Sequence, residues 1–370
     1  MIEGRATERG TARFAGRAGR AVVPEHFRIV EGGLRLSSVG IGTYLGREDD
    51  ATDALYRRAV ARALERSLNV VDTAINYRHQ RSERAVGAAL ADLFARRAVG
   101  RDEIFVATKG GYVPFDGEMP RDPGAYFTDT YLRPGIVRPE DVIGGAHCMT
   151  PRYLADQIDR SRVNLGLATI DLYYLHNPES QLEALGREEF MRRLRAAFEA
   201  LEAAVTAGKI ARYGTATWNG YRQPPDAADL LALADVVSVA REVGGADHHF
   251  RAVQLPYNLA MTEAFTRANQ RVGKDVVSML EAARRLDVYV MGSASVYQGQ
   301  LTRNLPPVIA EYLPGLTTDA QRSLQFARST PGIGTALVGM KSAAHVDENA
   351  GVAAHAPIPW EQFKNLFSVT

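Results

Sequence analysis

The sequence predicts an α/β chain forming a single (β/α)8 barrel of the TIM type, with an N-terminal β-hairpin plug and a long loop after the third strand. Three observations lead there. Short apolar, β-rich runs recur along the chain, stretches with helical spacing separate them, and eight such runs fit within 370 residues. Alternating strand and helix demands a parallel sheet, because each helix carries the chain back before the next strand begins. Eight units favour closure over an open, doubly wound sheet.

Taken in order, residues 1–26 carry five arginines among Ala, Gly and Thr and few large apolar side chains. That composition predicts a flexible extension lying loosely outside the fold, with the barrel over residues 27–370. Glu3 and Glu8 argue against a transit peptide. Phe27 to Ser37 alternates apolar and polar around Gly32-Gly33, a hairpin signal. The expected barrel strands are Val39–Gly42, Val70–Thr73, Ile104–Thr108, Ile170–Leu175, Arg212–Thr215, Ala252–Leu255, Val288–Met291 and Ala336–Gly339. Helical periods appear at Leu55–Leu68, Leu194–Val205 and Val276–Leu286. The Gly40-Ile-Gly42-Thr-Tyr-Leu-Gly46 run imitates a dinucleotide-binding loop, but its glycines do not open a helix. Gly110–Thr150 has no clear period, holds five prolines, and exceeds the usual βα loop of about 2 to 6 residues. Its aromatics, Tyr112, Phe115, Tyr126, Phe127 and Tyr131, predict a partly ordered flap over the barrel mouth.

Composition excludes several functions. With 44 basic against 43 acidic residues, no global field favours nucleic acid or an anionic membrane. The single cysteine, Cys148, rules out an intrachain disulfide and fits a reducing, cytoplasmic compartment. No apolar run reaches the roughly 18 to 20 residues of a membrane-spanning helix. The expectation is a cytoplasmic protein acting on a small molecule, with no nucleic-acid or membrane partner and an open oligomeric state.

In such a barrel, chemistry sits where strands end on the C-terminal face. The second expected strand ends at Asp72, with Tyr77 just beyond; the third ends at Lys109 and the fourth at His176. Singly, each has a plain structural explanation as a cap, a solvated tip or a hydrogen-bonded imidazole. Together they do not, because a lysine ending an apolar strand inside a barrel buries a charge, and Asp72 on the neighbouring strand compensates it. Carbonyl reduction explains the set. Hydride addition leaves negative charge on oxygen, and a nearby acid must supply a proton. Free tyrosine titrates near ~10, and an adjacent ammonium lowers that value, so Lys109 is expected to activate Tyr77 while Asp72 holds Lys109. His176 then orients the carbonyl.

The context Asp72-Thr-Ala-x-x-Tyr77, followed by Thr108-Lys109 and Leu175-His176, resembles the catalytic tetrad of the aldo-keto reductases, and the similarity runs from about Leu36 to Phe367. Ser82-Glu83 after the tyrosine, and the hairpin as a plug for the barrel bottom, match that family as well. The resemblance implies an NAD(P)H-dependent oxidoreductase that reduces an aldehyde or ketone, with NADPH as cofactor and NADH possible, bound across the barrel mouth. It implies cofactor contacts at Thr43, Tyr44, Asp72, Thr217, Gln254, Gly339, Lys341, Ser342, His345, Glu348 and Asn349, with Lys341 and Ser342 at the 2′-phosphate and Glu348 and Asn349 at the adenine. Ala216-Thr217 stands where the family has Ser-Asn. No aromatic lies within Gly292 to Ser295 to stack on the nicotinamide, leaving Tyr297 or Trp218 as substitutes. The alternative reading is a cofactor-binding regulatory or redox-sensing subunit resembling potassium-channel β subunits. His147-Cys148 and His248-His249 are adjacent pairs whose side chains diverge on a strand, so no metal site is expected.

Overall fold

A computed structural model describes residues 1–367, so the last three residues of the expected barrel range, 368–370, lie outside the described residues. Two strands come first: β1 (Phe27–Ile29) and β2 (Arg35–Ser37) pair antiparallel as the expected hairpin. Then follow β3 (Val39–Gly42), β4 (Val70–Asp72), β5 (Phe105–Gly110), β6 (Leu172–His176), β7 (Tyr213–Ala216) and β8 (Phe250–Pro256). A second antiparallel pair, β9 (Ala268–Val272) and β10 (Asp275–Ser278), precedes β11 (Tyr289–Ser293) and β12 (Thr335–Gly339). Strands β3 to β8, β11 and β12 close into a barrel whose neighbouring strands all run parallel. All eight expected strands occupy it.

Alternation along each strand decides what faces inward. Val70, Phe105, Ala107, Leu172, Tyr174, Ala252, Met291 and Leu337 fill the interior with Leu34 and Leu36 of the hairpin, so β2 plugs the bottom. Val71, Val106, Tyr173 and Leu175 point outward into the larger core under the helices. The same alternation carries Asp72, Lys109 and His176 up the inner face.

Three expectations need correction. Residues 1–26 do not lie loosely outside the fold. Thr7 caps a helix over Glu8–Ala18, and Ala6, Thr11 and Phe14 are buried. Arg17 makes two hydrogen bonds to Glu103 at 2.5 and 2.6 Å, and Arg13 reaches both Glu103 and Asp102. Gly10 is obligatory there, since a Cβ would stand 2.1 Å from the Asp102 carbonyl oxygen. Arg13 and Arg17 thus tie this segment to the residues just before β5.

The second concerns Val276–Leu286. Gly273 (φ +62°) turns the chain between β9 and β10, Val276 and Val277 belong to β10, and the helix starts only at Met279. Apolar spacing there merged the end of a strand with a short helix. The third concerns Gly110–Thr150, which is ordered around its own centre. Tyr131, Val137, Cys148 and Tyr153 are buried together, with Tyr126 and Phe127 packed against them. Of the five aromatics expected to roof the mouth, Tyr112 alone lines the cavity.

Candidate active site

At the C-terminal end of the barrel opens a cavity of about 1400 Å³ lined by Asp72, Tyr77 and His176. Lys109 lies beneath it and has no solvent exposure. An ammonium there must have its three protons bonded and its charge matched. Both conditions are met: Nζ donates to Asp72 Oδ2 at 2.7 Å, to the Thr73 carbonyl at 2.8 Å and to the Tyr77 hydroxyl oxygen at 3.3 Å. Burial alone would lower the Lys109 pKa, but Asp72 and Tyr77 outweigh it and hold the group above its ordinary value. The other Asp72 oxygen accepts from Gln254 Nε2 at 2.8 Å, and Gln254 also lines the cavity.

Lys109 occupies one lone pair of the Tyr77 oxygen, and Tyr77 itself lines the cavity. The sequence reading expected the ammonium to pull Tyr77 below its ordinary pKa. The net direction is upward: depth among protein atoms raises it, and Lys109 offsets only part of that. Tyr77 is therefore a phenol that keeps its proton. Tyr44 packs edge-on against its ring, with centroids 4.9 Å apart.

His176 ends β6 with its ring edge-on to both Tyr77 and Tyr112, at 6.0 and 5.2 Å. Its Nδ1 has no partner. Burial, then Lys109 and His147, push its pKa well below the ordinary value, so the imidazole is neutral. The two nearest titrating groups over the cavity are thus uncharged at neutral pH.

The expected cofactor residues run along the same cavity. Thr43, Tyr44, Thr217, Gln254, Gly339, Lys341, His345, Glu348 and Asn349 all line it. Ser342 does not; its hydroxyl accepts from the His345 N–H and caps the helix Ala343–Ala350. Among the described residues, Thr217 Oγ1 and Asn349 Oδ1 are buried without partners, and Lys341 is exposed with no carboxylate paired to it. A long, polar, anionic ligand fits that donor set. Of the two aromatics offered as substitutes, Trp218 lines the cavity and Tyr297 does not. The sequence reading missed Asn177 and the loop after β11, including Thr302 and Arg303. A Gly299-Gln-Leu-Thr-Arg run following a strand was the available signal. Among the described residues, no group of three or more His, Cys, Asp or Glu is arranged to hold a metal ion.

Residues 38–308 match the Aldo/keto reductase family. No curated protein matches the chain. Among solved structures, the aldo/keto reductase from Klebsiella pneumoniae, crystallised with NADP and acetate, is 21% identical, with 94% of this chain and 95% of that chain covered and a TM-score of 0.61. The holo aldo-keto reductase from Bacillus halodurans is 19% identical over 92% and 95%, with a TM-score of 0.62. The glycerol dehydrogenase from Gluconobacter oxydans is 18% identical over 94% and 95%, at 0.64. At these identities the likeness establishes the shared barrel.

Proposed function

The chain belongs to the aldo/keto reductase family, and from that premise we propose that it reduces an aldehyde or ketone to an alcohol with NADPH, with Tyr77 as general acid. One observation carries the reading: Lys109, paired with Asp72, donates to the oxygen of Tyr77 at 3.3 Å where that residue lines the cavity. When bound, the nicotinamide supplies the hydride to the carbonyl carbon. Tyr77 then releases its proton to the carbonyl oxygen as negative charge grows there. Lys109, fixed by Asp72, stabilises the phenolate left behind. A pKa above the ordinary value keeps the acid loaded before the step, and the adjacent ammonium eases its ionisation during it. Neutral His176 offers a hydrogen bond to the same oxygen without competing as an acid.

The remaining cavity residues suit the cofactor. Thr217 Oγ1, with Gln254 beside it on the cavity wall, suits a carboxamide, and Asn349 Oδ1 suits a base. Lys341 offers an exposed ammonium for a 2′-phosphate, which favours NADPH over NADH, and Arg303 suits the anionic middle of such a ligand. The Klebsiella pneumoniae protein was crystallised with NADP and with NADPH, which supports NADPH as the cofactor.

Tyr77→Phe tests the reading. It removes the hydroxyl, retains the ring, and should lower turnover by ~10² to 10⁴-fold, the usual worth of a positioned acid. Cofactor affinity, followed by fluorescence quenching, should stay unchanged. Near wild-type reduction by this variant would overturn the role of Tyr77. Tightly held cofactor with negligible wild-type turnover would favour a sensing subunit instead.

A further inference from the structure

His176 is poorly held for a residue that must point at a carbonyl. Its Nδ1 has no partner among the described residues, and its ring stands edge-on to Tyr77 and Tyr112. Its backbone is another matter. The carbonyl oxygen of His176, the last of β6, lies 2.7 Å from Nε2 of His147, a buried imidazole near the far end of the Gly110–Thr150 loop. A carbonyl oxygen only accepts, so Nε2 carries the proton and Nδ1 must be the acceptor. Nδ1 has its donor in Gln181 Nε2, 3.0 Å away. Gln181 is itself oriented, because Oε1 accepts from Arg193 Nη1 at 3.4 Å.

The loop is built to make this contact. Its two ends pair through a Tyr112–His147 bridge, with Cys148 N–H donating to the Gly111 carbonyl at 2.8 Å. Gly111 takes φ +149°, and a Cβ there would stand 2.8 Å from both His147 Nε2 and the His176 oxygen. Tyr112 stands edge-on to both imidazoles, with centroids 5.2 Å from each. Burial drives the His147 pKa down to about 4, so one tautomer persists at neutral pH.

We propose that His147 is a positioning residue for His176: its Nε2–H, fixed by Gln181, clamps the end of β6 and, with Tyr112, sets the direction of the His176 ring. This rests on the reductase reading for its kinetic consequence but not for its geometry. In the sequence His147 stands out only as one of an adjacent His-Cys pair whose side chains diverge on a strand. The contact shows why the loop is long: it returns to the strand end it must hold.

The test uses the full chain. His147→Phe keeps the ring volume and removes the N–H, and misplacing an orienting group is expected to lower kcat by about tenfold to hundredfold. KM for the cofactor should be unchanged. His147→Gln, whose amide N–H can reach the same carbonyl, should restore most of kcat, a rescue that general loss of packing does not permit. In parallel, ¹⁵N spectra of histidine-labelled protein should show His147 protonated at Nε2, and His176 shifts that move in His147→Phe and return in His147→Gln. Unchanged kcat and unchanged His176 shifts in His147→Phe overturn the proposal. Where His147→Phe does not fold, Gln181→Met removes the partner that fixes the tautomer, and the same two readouts decide. A wild-type chain with no turnover overturns the reductase reading alone, because the spectra need none.

Discussion

Asp72, Lys109 and Tyr77 form one electrostatic unit in which each side chain makes its neighbour tolerable. Lys109 has no solvent exposure and Asp72 is 5% exposed, so neither charge has water as an alternative partner. Removing one leaves the other buried and unpaired, which typically costs about 3 to 5 kcal/mol. Lys109→Met should therefore lose stability as well as activity, and urea unfolding should show both a lower midpoint and partial recovery when Asp72 is also made apolar. The sign with pH follows from the raised Lys109 pKa: its stabilising contribution is complete below the ordinary lysine value near ~10.4 and declines as pH rises through the higher folded value. The deficit of the variant should thus be full at neutral pH and shrink in alkali. An equal deficit at every pH, or none, contradicts the buried pair.

At the scale of elements, the sequence is legible where backbone period and burial coincide. Strands such as Val39–Gly42 read cleanly because both faces are covered, which makes them short continuous apolar runs. Asp72, Lys109 and His176 were legible as a set, because three neighbouring apolar runs end in them and a lysine so placed needs the carboxylate beside it, with Tyr77 just beyond the first. Legibility fails where one apolar string serves two elements, as at Val276 to Leu286, and where a segment builds a core of its own, as around Tyr131. It also fails for side chains whose role depends on a turn: Ser342 reads as a phosphate ligand but caps the helix Ala343–Ala350. That leaves Lys341, just before the same helix, as the charged group available to a 2′-phosphate. Lys341→Met should weaken NADPH more than NADH, and because charge-assisted contacts are roughly twice as strong as neutral ones the difference should be measurable by titration. Equal losses for the two cofactors would remove Lys341 from that role.

For the whole molecule, the two ends of the barrel have different tasks. The C-terminal end holds the cavity, while the N-terminal end is closed by the hairpin and by the helix Glu8–Ala18. Ala6 N–H donates to Asp171 at 2.6 Å, Phe14 packs edge-on against Phe27, and Arg13 and Arg17 neutralise Glu103. Burial would raise the Glu103 pKa, but Arg17, the Gly100 N–H and Arg13 hold it below its ordinary value. A carboxyl with a depressed folded pKa adds stability above its unfolded value near ~4.3 and loses it as pH falls through the lower folded value. Deleting residues 1–18 removes both arginines and uncovers Phe27 and the base of β5, so the melting temperature should drop at neutral pH. The gap between full-length and shortened chains should then narrow on acidification below about 4.3, where the Glu103 contribution is being lost in either case. Turnover measured well below the melting temperature should be retained, because no residue of this segment lines the cavity. A shortened chain that melts with the full-length protein would show that the first helix adds nothing to closure of the barrel.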